Sequence, residues 1–261
     1  MSAFSDAYQQ FWLKEQLKDG DTILQKGLRK SQVGAVGAIL AHFSVRDDAA
    51  LVSMPTGTGK TAVMIAACYA LRATKVLVVT PSQMVRKQIA RHFKLRKDLI
   101  DNDVLSPQSP EPRVYELKGV VHSKAEWDEI LENHDVVVGI PGTFNKIEEL
   151  PQVLEAKAFG VVLVDEAHHS RAKSWAYLLN HFAPAKRILV TATAFRNDKK
   201  ELKARLVYNY PLKLAYELKQ FSKIEYISVN TDGLKEPAER DLAIAKRTEE
   251  IFGEHKQYGH K

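Results

Sequence analysis

Five short apolar runs punctuate the middle of the chain: Ala49–Met54, Val76–Thr80, Val136–Ile140, Val161–Val164 and Ile188–Thr191. They are rich in β-branched residues and show no polar/apolar alternation, the pattern of strands covered on both faces. A polar turn and a longer helix-compatible stretch follow each run. Strands separated by helices predict a doubly wound, mostly parallel α/β sheet. Ahead of this region, residues 4–18 place Phe4, Tyr8, Phe11 and Trp12 at helical spacing. Gly20-Asp21 breaks that pattern, and Leu28 to Phe43 makes a second helical segment. Three prolines within Leu105–Pro112 predict a loop, and Arg113–Leu117 a further strand. Beyond residue 200, Tyr208-Asn209-Tyr210-Pro211 precedes a short helix, Ile224–Val229 predicts a strand and Glu236–Glu254 a charged amphipathic helix.

With 261 residues, of which 45% are hydrophobic and 27% charged, the chain has enough apolar material for a sizeable core. Collagen-like, low-complexity and wholly disordered classes are excluded. The single cysteine, Cys68, permits no intramolecular disulfide and no cysteine zinc cluster. The longest stretch without Lys, Arg, Asp or Glu, Ser31 to Val45, has 15 residues, short of the ~20 that a membrane span needs. Residues 1–10 lack the regions of a secretory signal. A cytoplasmic location without a membrane partner is therefore the expectation. The net charge of +6 is unevenly spread: residues 51–100 hold 9 basic residues and 1 acid, residues 101–150 hold 4 basic and 11 acidic ones. The window Arg86 to Lys97 has six basic residues and no acid. It reads either as a stripe that neutralises phosphates or as a solvated helix face.

Met54-Pro55-Thr56-Gly57-Thr58-Gly59-Lys60-Thr61 is the strongest signal in the chain. It follows one predicted strand and opens a predicted helix, Thr61–Leu71, the context a phosphate-binding loop requires. Glycines let the backbone N–H groups converge on phosphate oxygens, and the helix N-terminus adds a favourable dipole. Lys60 would reach the β- and γ-phosphates and the Thr61 hydroxyl would ligate Mg²⁺. The strict pattern has Gly where Met54 stands. Downstream, the run Val161–Val164 ends in Asp165-Glu166-Ala167-His168. An aspartate at such a strand end can hold Mg²⁺, and the adjacent glutamate can polarise an attacking water.

Together these residues resemble the superfamily 2 helicases and translocases, whose DExH signature reads here as Asp165-Glu166-Ala167-His168. That family's loop also tolerates Met54. The resemblance implies a RecA-like fold with ATP and Mg²⁺ as cofactors, bound by Pro55, Thr56, Gly57, Thr58, Gly59, Lys60 and Thr61. It makes Lys60, Asp165 and Glu166 catalytic, with Thr61 and Asp165 on the metal. Arg29-x-x-Gln32 is similar to the adenine-recognition element, with the Gln32 amide on the base. Thr80-Pro81-Ser82-Gln83, followed by Arg86 and Lys87, resembles a nucleic-acid backbone motif, and Gly139-Ile140-Pro141-Gly142-Thr143 a second, looser one. Thr191-Ala192-Thr193 resembles the element that couples hydrolysis to motion, and His168 would couple the nucleotide site to another lobe. The likeness covers roughly residues 28–195, and Tyr208–Val229 is similar to the connector in the branch of type I and III restriction-enzyme motors.

The resemblance implies residues 1–215 as a RecA-like ATP-binding lobe with a helical lead-in at 1–48, and 216–261 as a connector toward a second RecA-like lobe. In the family that lobe supplies the Gly-Arg-containing motif whose arginines stabilise the transferred phosphoryl; the chain holds no Gly-Arg dipeptide. A first-lobe fragment, or a protein completed by another chain, is the expectation, with slow hydrolysis and no unwinding by itself. Nucleic acid is the implied partner, DNA favoured over RNA. The alternative function is a non-catalytic nucleotide- and nucleic-acid-binding scaffold; a small-molecule kinase is opposed by the Asp165-Glu166 element. Trp12, Trp127 and Trp175 read as core residues, Asn145-Lys146-Ile147-Glu148 as a coincidental likeness to a guanine-reading motif, and His169 as structural or exposed.

Overall fold

The computed structural model describes residues 2–20, 22–144, 149–167, 173–193, 204–218, 220, 227–231, 233 and 236–257. Strands β1 (Leu17–Asp19) and β2 (Thr22–Gln25) pair as an antiparallel hairpin. The main sheet comprises β3 (Ala50–Ser53), β4 (Val76–Val79), β5 (Val114–Glu116), β6 (Val136–Gly139), β7 (Val161–Val164), β8 (Lys186–Thr191) and β9 (Arg205–Asn209). Its order is β5-β6-β4-β7-β8-β3-β9 and its pairs are all parallel. The five apolar runs are thus all strands, and the doubly wound sheet of RecA type is the observed architecture.

Strand periodicity splits the core in two, because successive side chains point to opposite faces. Val76 and Val78 join one cluster with Val138, Leu163 and Val190; Leu77 and Val79 join another with Val137, Val164 and Leu189. The first face is covered by α1 (Ala3–Asp6), α2 (Lys30–Val45), α3 (Lys60–Ala70), α4 (Gln83–Leu95) and α5 (Lys97–Asp101). The second is covered by α6 (Lys124–Asn133), α7 (Leu150–Val153) and α8 (Lys173–His181), with Trp127 and Phe182 fully buried. Helix α3 is apolar almost all round, as a helix enclosed between the sheet and α2 must be. Helix α9 (Leu212–Glu217) follows the last strand. Contacts divide the chain into residues 1–221 and 222–261; within the second unit α10 (Pro237–Gln257) is a single 21-residue helix that leaves Leu242, Ile244 and Phe252 exposed. No helix among the described residues is long and apolar enough to cross a membrane.

The chain start corrects the expected helix over residues 4–18. Only α1 and a 3-10 turn at Tyr8–Gln10 are helical, and Phe11 onward is extended. The aromatic spacing reflects a shared anchor rather than one helix face: Phe4 and Phe11 both pack on Tyr69, with ring centroids 4.9 and 5.6 Å away. The Trp12 N–H donates to Val104 O at 2.8 Å, so tertiary bonds replace helical ones. Trp12 is 52% exposed and is not a core residue, whereas Trp127 and Trp175 are buried as expected. The hairpin β1-β2 was not anticipated, because every strand position in it is exposed and carries no burial pattern. Edge strand β9 also went unread. Most of the expected strand Ile224–Val229 lies outside the described residues, as do Asn145, Lys146, Ile147 and Glu148.

Two tryptophans make these assignments testable. Trp127→Ala should cost about 3–5 kcal/mol in urea unfolding, the usual loss for a fully buried large aromatic. Trp12→Ala should cost under about 1 kcal/mol, and equal losses would contradict the two environments.

Candidate active site

A parallel sheet delivers all its strand C-termini to one edge, and that edge gathers the candidate residues. The loop after β3 curls through two left-handed glycines, Gly57 at φ +83° and Gly59 at φ +87°. The positive φ favours glycine at 59, and a Cβ there would also displace the Gln32 amide from its bond to the Gly59 carbonyl. Thr58 is buried, and its hydroxyl donates to the Pro55 carbonyl at 2.6 Å, closing the loop on itself. Lys60 is the first residue of α3, with a side chain only 9% exposed and Nζ 3.5 Å from Glu166 Oε1.

Asp165 and Glu166 leave the end of β7 in a tight turn. Glu166 sits at φ +49°, a left-handed conformation that costs a residue with a Cβ of the order of 1 kcal/mol. The turn lets the Glu166 N–H donate to Asp165 Oδ1 at 3.0 Å and sends the Glu166 carboxylate to Lys60. The Asp165 carboxyl is held above its ordinary range by burial first and by the neighbouring Glu166 charge second, with Lys60 opposing both. A buried carboxylate beside a second one is an environment that a hard cation relieves. The Asp165 carboxylate and the Thr61 hydroxyl are oxygen donors of the kind Mg²⁺ takes, so the residues fit that ion.

Beside the loop lies a cavity of about 330 Å³. Gln32 lines it and is anchored at both ends of its amide: Oε1 accepts from the Arg29 N–H at 2.9 Å, and Nε2 donates to the Gly59 carbonyl at 3.3 Å. Arg29 Nη1 donates to the Gly57 carbonyl at 3.2 Å. Arg29 and Gln32, far upstream in sequence, are therefore bonded directly to the loop. The cavity also takes in Lys18 of the unanticipated hairpin and Asp98 and Asn102 from the α5 segment, which no sequence motif marks.

After β4, buried Thr80 donates to the Gly139 carbonyl at 3.3 Å, joining the ends of β4 and β6. Ser82 caps α4 by accepting from the Val85 N–H, and Ser82, Gln83 and Lys87 are exposed while Pro81 is half-buried. Arg86 is turned inward: it is buried, donates to the Leu117 carbonyl at 3.0 Å and stands 3.7 Å from Glu116. Arg96, expected as solvated surface, is also buried, because it donates to Ser109 O, Ser109 Oγ and Pro110 O of the proline-rich loop. Gly142 is exposed, and Thr143 Oγ1 donates to the Ile140 carbonyl at 2.8 Å. Thr191 is buried; its carbonyl accepts from the Met54 N–H at 2.9 Å and its hydroxyl oxygen from the Thr193 N–H at 3.2 Å. His168 and His169 lie outside the described residues.

Residues 25–196 match the family model described as type III restriction enzyme, res subunit, a span of well over half of the 261 residues. Among solved structures, a nuclease-deletion mutant of the type ISP restriction-modification enzyme LlaGI, in complex with a DNA substrate mimic, is similar at 22% identity and a TM-score of 0.53, covering 76% of this chain and 21% of that one. The UvsW helicase from bacteriophage T4 is similar at 19% identity and a TM-score of 0.45, covering 69% of this chain and 57% of that one. A hypothetical ATP-dependent RNA helicase from Sulfolobus tokodaii is similar at 24% identity and a TM-score of 0.46, covering 67% and 52%. At these identities the likeness to LlaGI shows the fold. The chain spans about a fifth of LlaGI and a little over half of the two helicases. No curated protein matches it.

Charge crowding at Asp165 has a measurable consequence. A carboxyl raised in the folded state binds its proton more tightly than in the unfolded chain, so its contribution favours folding at low pH and is lost as pH rises through the folded value. Asp165→Asn keeps the oxygen that accepts from Glu166 N–H and removes the crowded charge. In the metal-free protein it should raise stability at neutral pH and flatten the pH dependence of urea unfolding. A less stable variant at neutral pH would contradict the crowding.

Proposed function

The chain belongs to the type III restriction enzyme res-subunit family, as the first RecA-like lobe of a superfamily 2 helicase-like motor, and from this premise we propose that it is the ATP-binding half of a nucleic-acid-dependent ATPase. The observation that carries the reading is the Lys60–Glu166 pair, which joins the phosphate loop to the acidic strand end across 3.5 Å. The loop N–H groups of Gly57, Thr58 and Gly59 and the first turn of α3 receive the phosphates. Lys60, drawn to the β- and γ-phosphates, then releases Glu166. The Glu166 carboxylate is the group that takes a proton from the attacking water. Mg²⁺, held by Asp165 and Thr61, supplies charge neutralisation on the phosphate oxygens when bound. Arg29 and Gln32 hold the base end, with Pro55 and Thr56 shaping the loop.

Hydrolysis reaches the rest of the lobe through β8. The bond from Met54 N–H to Thr191 O ties its end to the phosphate loop, and Thr191, Thr193 and His168 are the proposed coupling residues. Pro81, Ser82, Gln83, Lys87, Gly142 and Thr143 form the proposed nucleic-acid track; Arg86, facing inward, supports it by bracing α4 against Leu117. DNA is favoured over RNA, in keeping with the DNA substrate mimic bound by LlaGI. In this reading residues 1–215 make the lobe and 216–261 lead to a second lobe. The arginines supplied there are worth about 10³–10⁵ in turnover.

Steady-state ATP hydrolysis with no polymer, single-stranded DNA, duplex DNA and RNA tests the reading. Turnover by this chain alone should be slow, should rise with DNA, and should vanish in Glu166→Gln while ATP binding persists. Lys60→Ala should weaken ATP binding at least tenfold. Undiminished hydrolysis in Glu166→Gln would overturn the role given to Glu166, and cellular activity untouched by Lys60→Ala would favour a scaffold role.

A further inference from the structure

The cavity beside the phosphate loop contains groups that the chemistry above leaves unused. It is lined by Gln32 and Gly59, by Ala62 in the first turn of α3, and by Asp98 with Asn102. Its volume of about 330 Å³ is at the small end of ligand sites, enough for one base and one sugar.

The Gln32 amide spends one N–H on Gly59 O and one oxygen lone pair on Arg29 N–H, which leaves one donor and one acceptor side by side for a base edge. The phosphates belong at the other end, at the glycines and Lys60. A nucleotide held at both ends passes its sugar between them, and Asp98 is the one carboxylate among the described residues that line the cavity. An ionised carboxylate only accepts hydrogen bonds. It repels phosphates and suits vicinal hydroxyls, which only need an acceptor. Asn102 is fixed next to it by a bond from its amide to the Asp98 carbonyl at 2.7 Å, and His92 Nδ1 stands 3.8 Å from Asp98 Oδ2.

We infer that Asp98 accepts the ribose 2′-hydroxyl of the bound nucleotide, so that the site selects ribonucleotides over 2′-deoxyribonucleotides. This rests on the nucleotide-binding reading above. A hydrogen bond to a charged, half-exposed acceptor sets the expected preference at about tenfold.

The test is equilibrium binding of ATP and 2′-deoxy-ATP to the 261-residue chain in Mg²⁺ buffer, by calorimetry. The unaltered chain should prefer ATP about tenfold. Asp98→Ala should bring ATP down to the level of 2′-deoxy-ATP and leave the latter unchanged. Asp98→Asn, which keeps the shape and one acceptor, should fall between and gives the same comparison should the alanine variant fail to fold. Equal binding of the two nucleotides, still abolished by Lys60→Ala, overturns this inference alone. So does an Asp98→Ala variant that weakens both equally. Binding of neither nucleotide by the unaltered chain overturns the nucleotide reading itself and this inference with it.

Discussion

One ammonium and two carboxylates share a nearly dry corner of this protein, and the arrangement of the lobe follows from keeping them there. Lys60 and Asp165 are both under a tenth exposed, and Glu166 reaches Lys60 only because its own backbone is left-handed. Such a cluster is costly unless each charge has a partner. The partners come from β3 and β7, with β8 between them in the sheet, so a slip in strand order or register would separate them. The register Leu51↔Leu189 and Leu163↔Ile188 levels these strand ends and thereby sets the distance at which the lysine meets the glutamate.

Irregular segments elsewhere in the lobe are secured by buried arginines. Arg96 supplies the donors that the carbonyls of Ser109 and Pro110 lack, since a proline-rich loop has few N–H groups to offer. Arg86 does the same for Leu117 at the end of β5. Two of the six cations in the basic window therefore act as structural donors. The cations of α4 that face water are Lys87, Arg91 and Lys94, of which Lys87, with exposed Gln83 and Gln88, lies nearest the end of β4. A planar guanidinium with several fixed donors suits such work better than a lysine.

The sheet was legible because its buried strands are short unbroken apolar runs, most of them rich in valine and isoleucine, and the proposed phosphate end of the site because its residues are contiguous. Met54 to Thr61 is one turn in space and in sequence, and Asp165-Glu166 directly follows a strand. The hairpin at 17–25 was not legible: all its positions are exposed, so burial leaves no periodic mark. The aromatic spacing at Phe4, Tyr8 and Phe11 misled for a related reason. Two of these rings meet the same partner, Tyr69, from segments of different conformation. Arg86 and Arg96 were unreadable as buried groups because their acceptors are backbone carbonyls, which no side-chain pattern encodes.

The two ends of the cavity consequently stand under different constraints. At the phosphate end, Gly59 can accept no side chain without displacing the Gln32 amide, and the loop hydrogen bonds leave little freedom for substitution. At the other end, Lys18, Asp98 and Asn102 come from a hairpin and a short helix that are largely exposed and carry little of the core. Exposed positions tolerate change at a cost of a few tenths of a kcal/mol, against several for the buried ones. In the proposed reading, nucleotide preference can therefore shift through Lys18, Asp98 and Asn102 while the residues assigned to the phosphates stay fixed. On that reading the choice of nucleotide is built from the surface and the machinery that acts on it from the ends of buried strands.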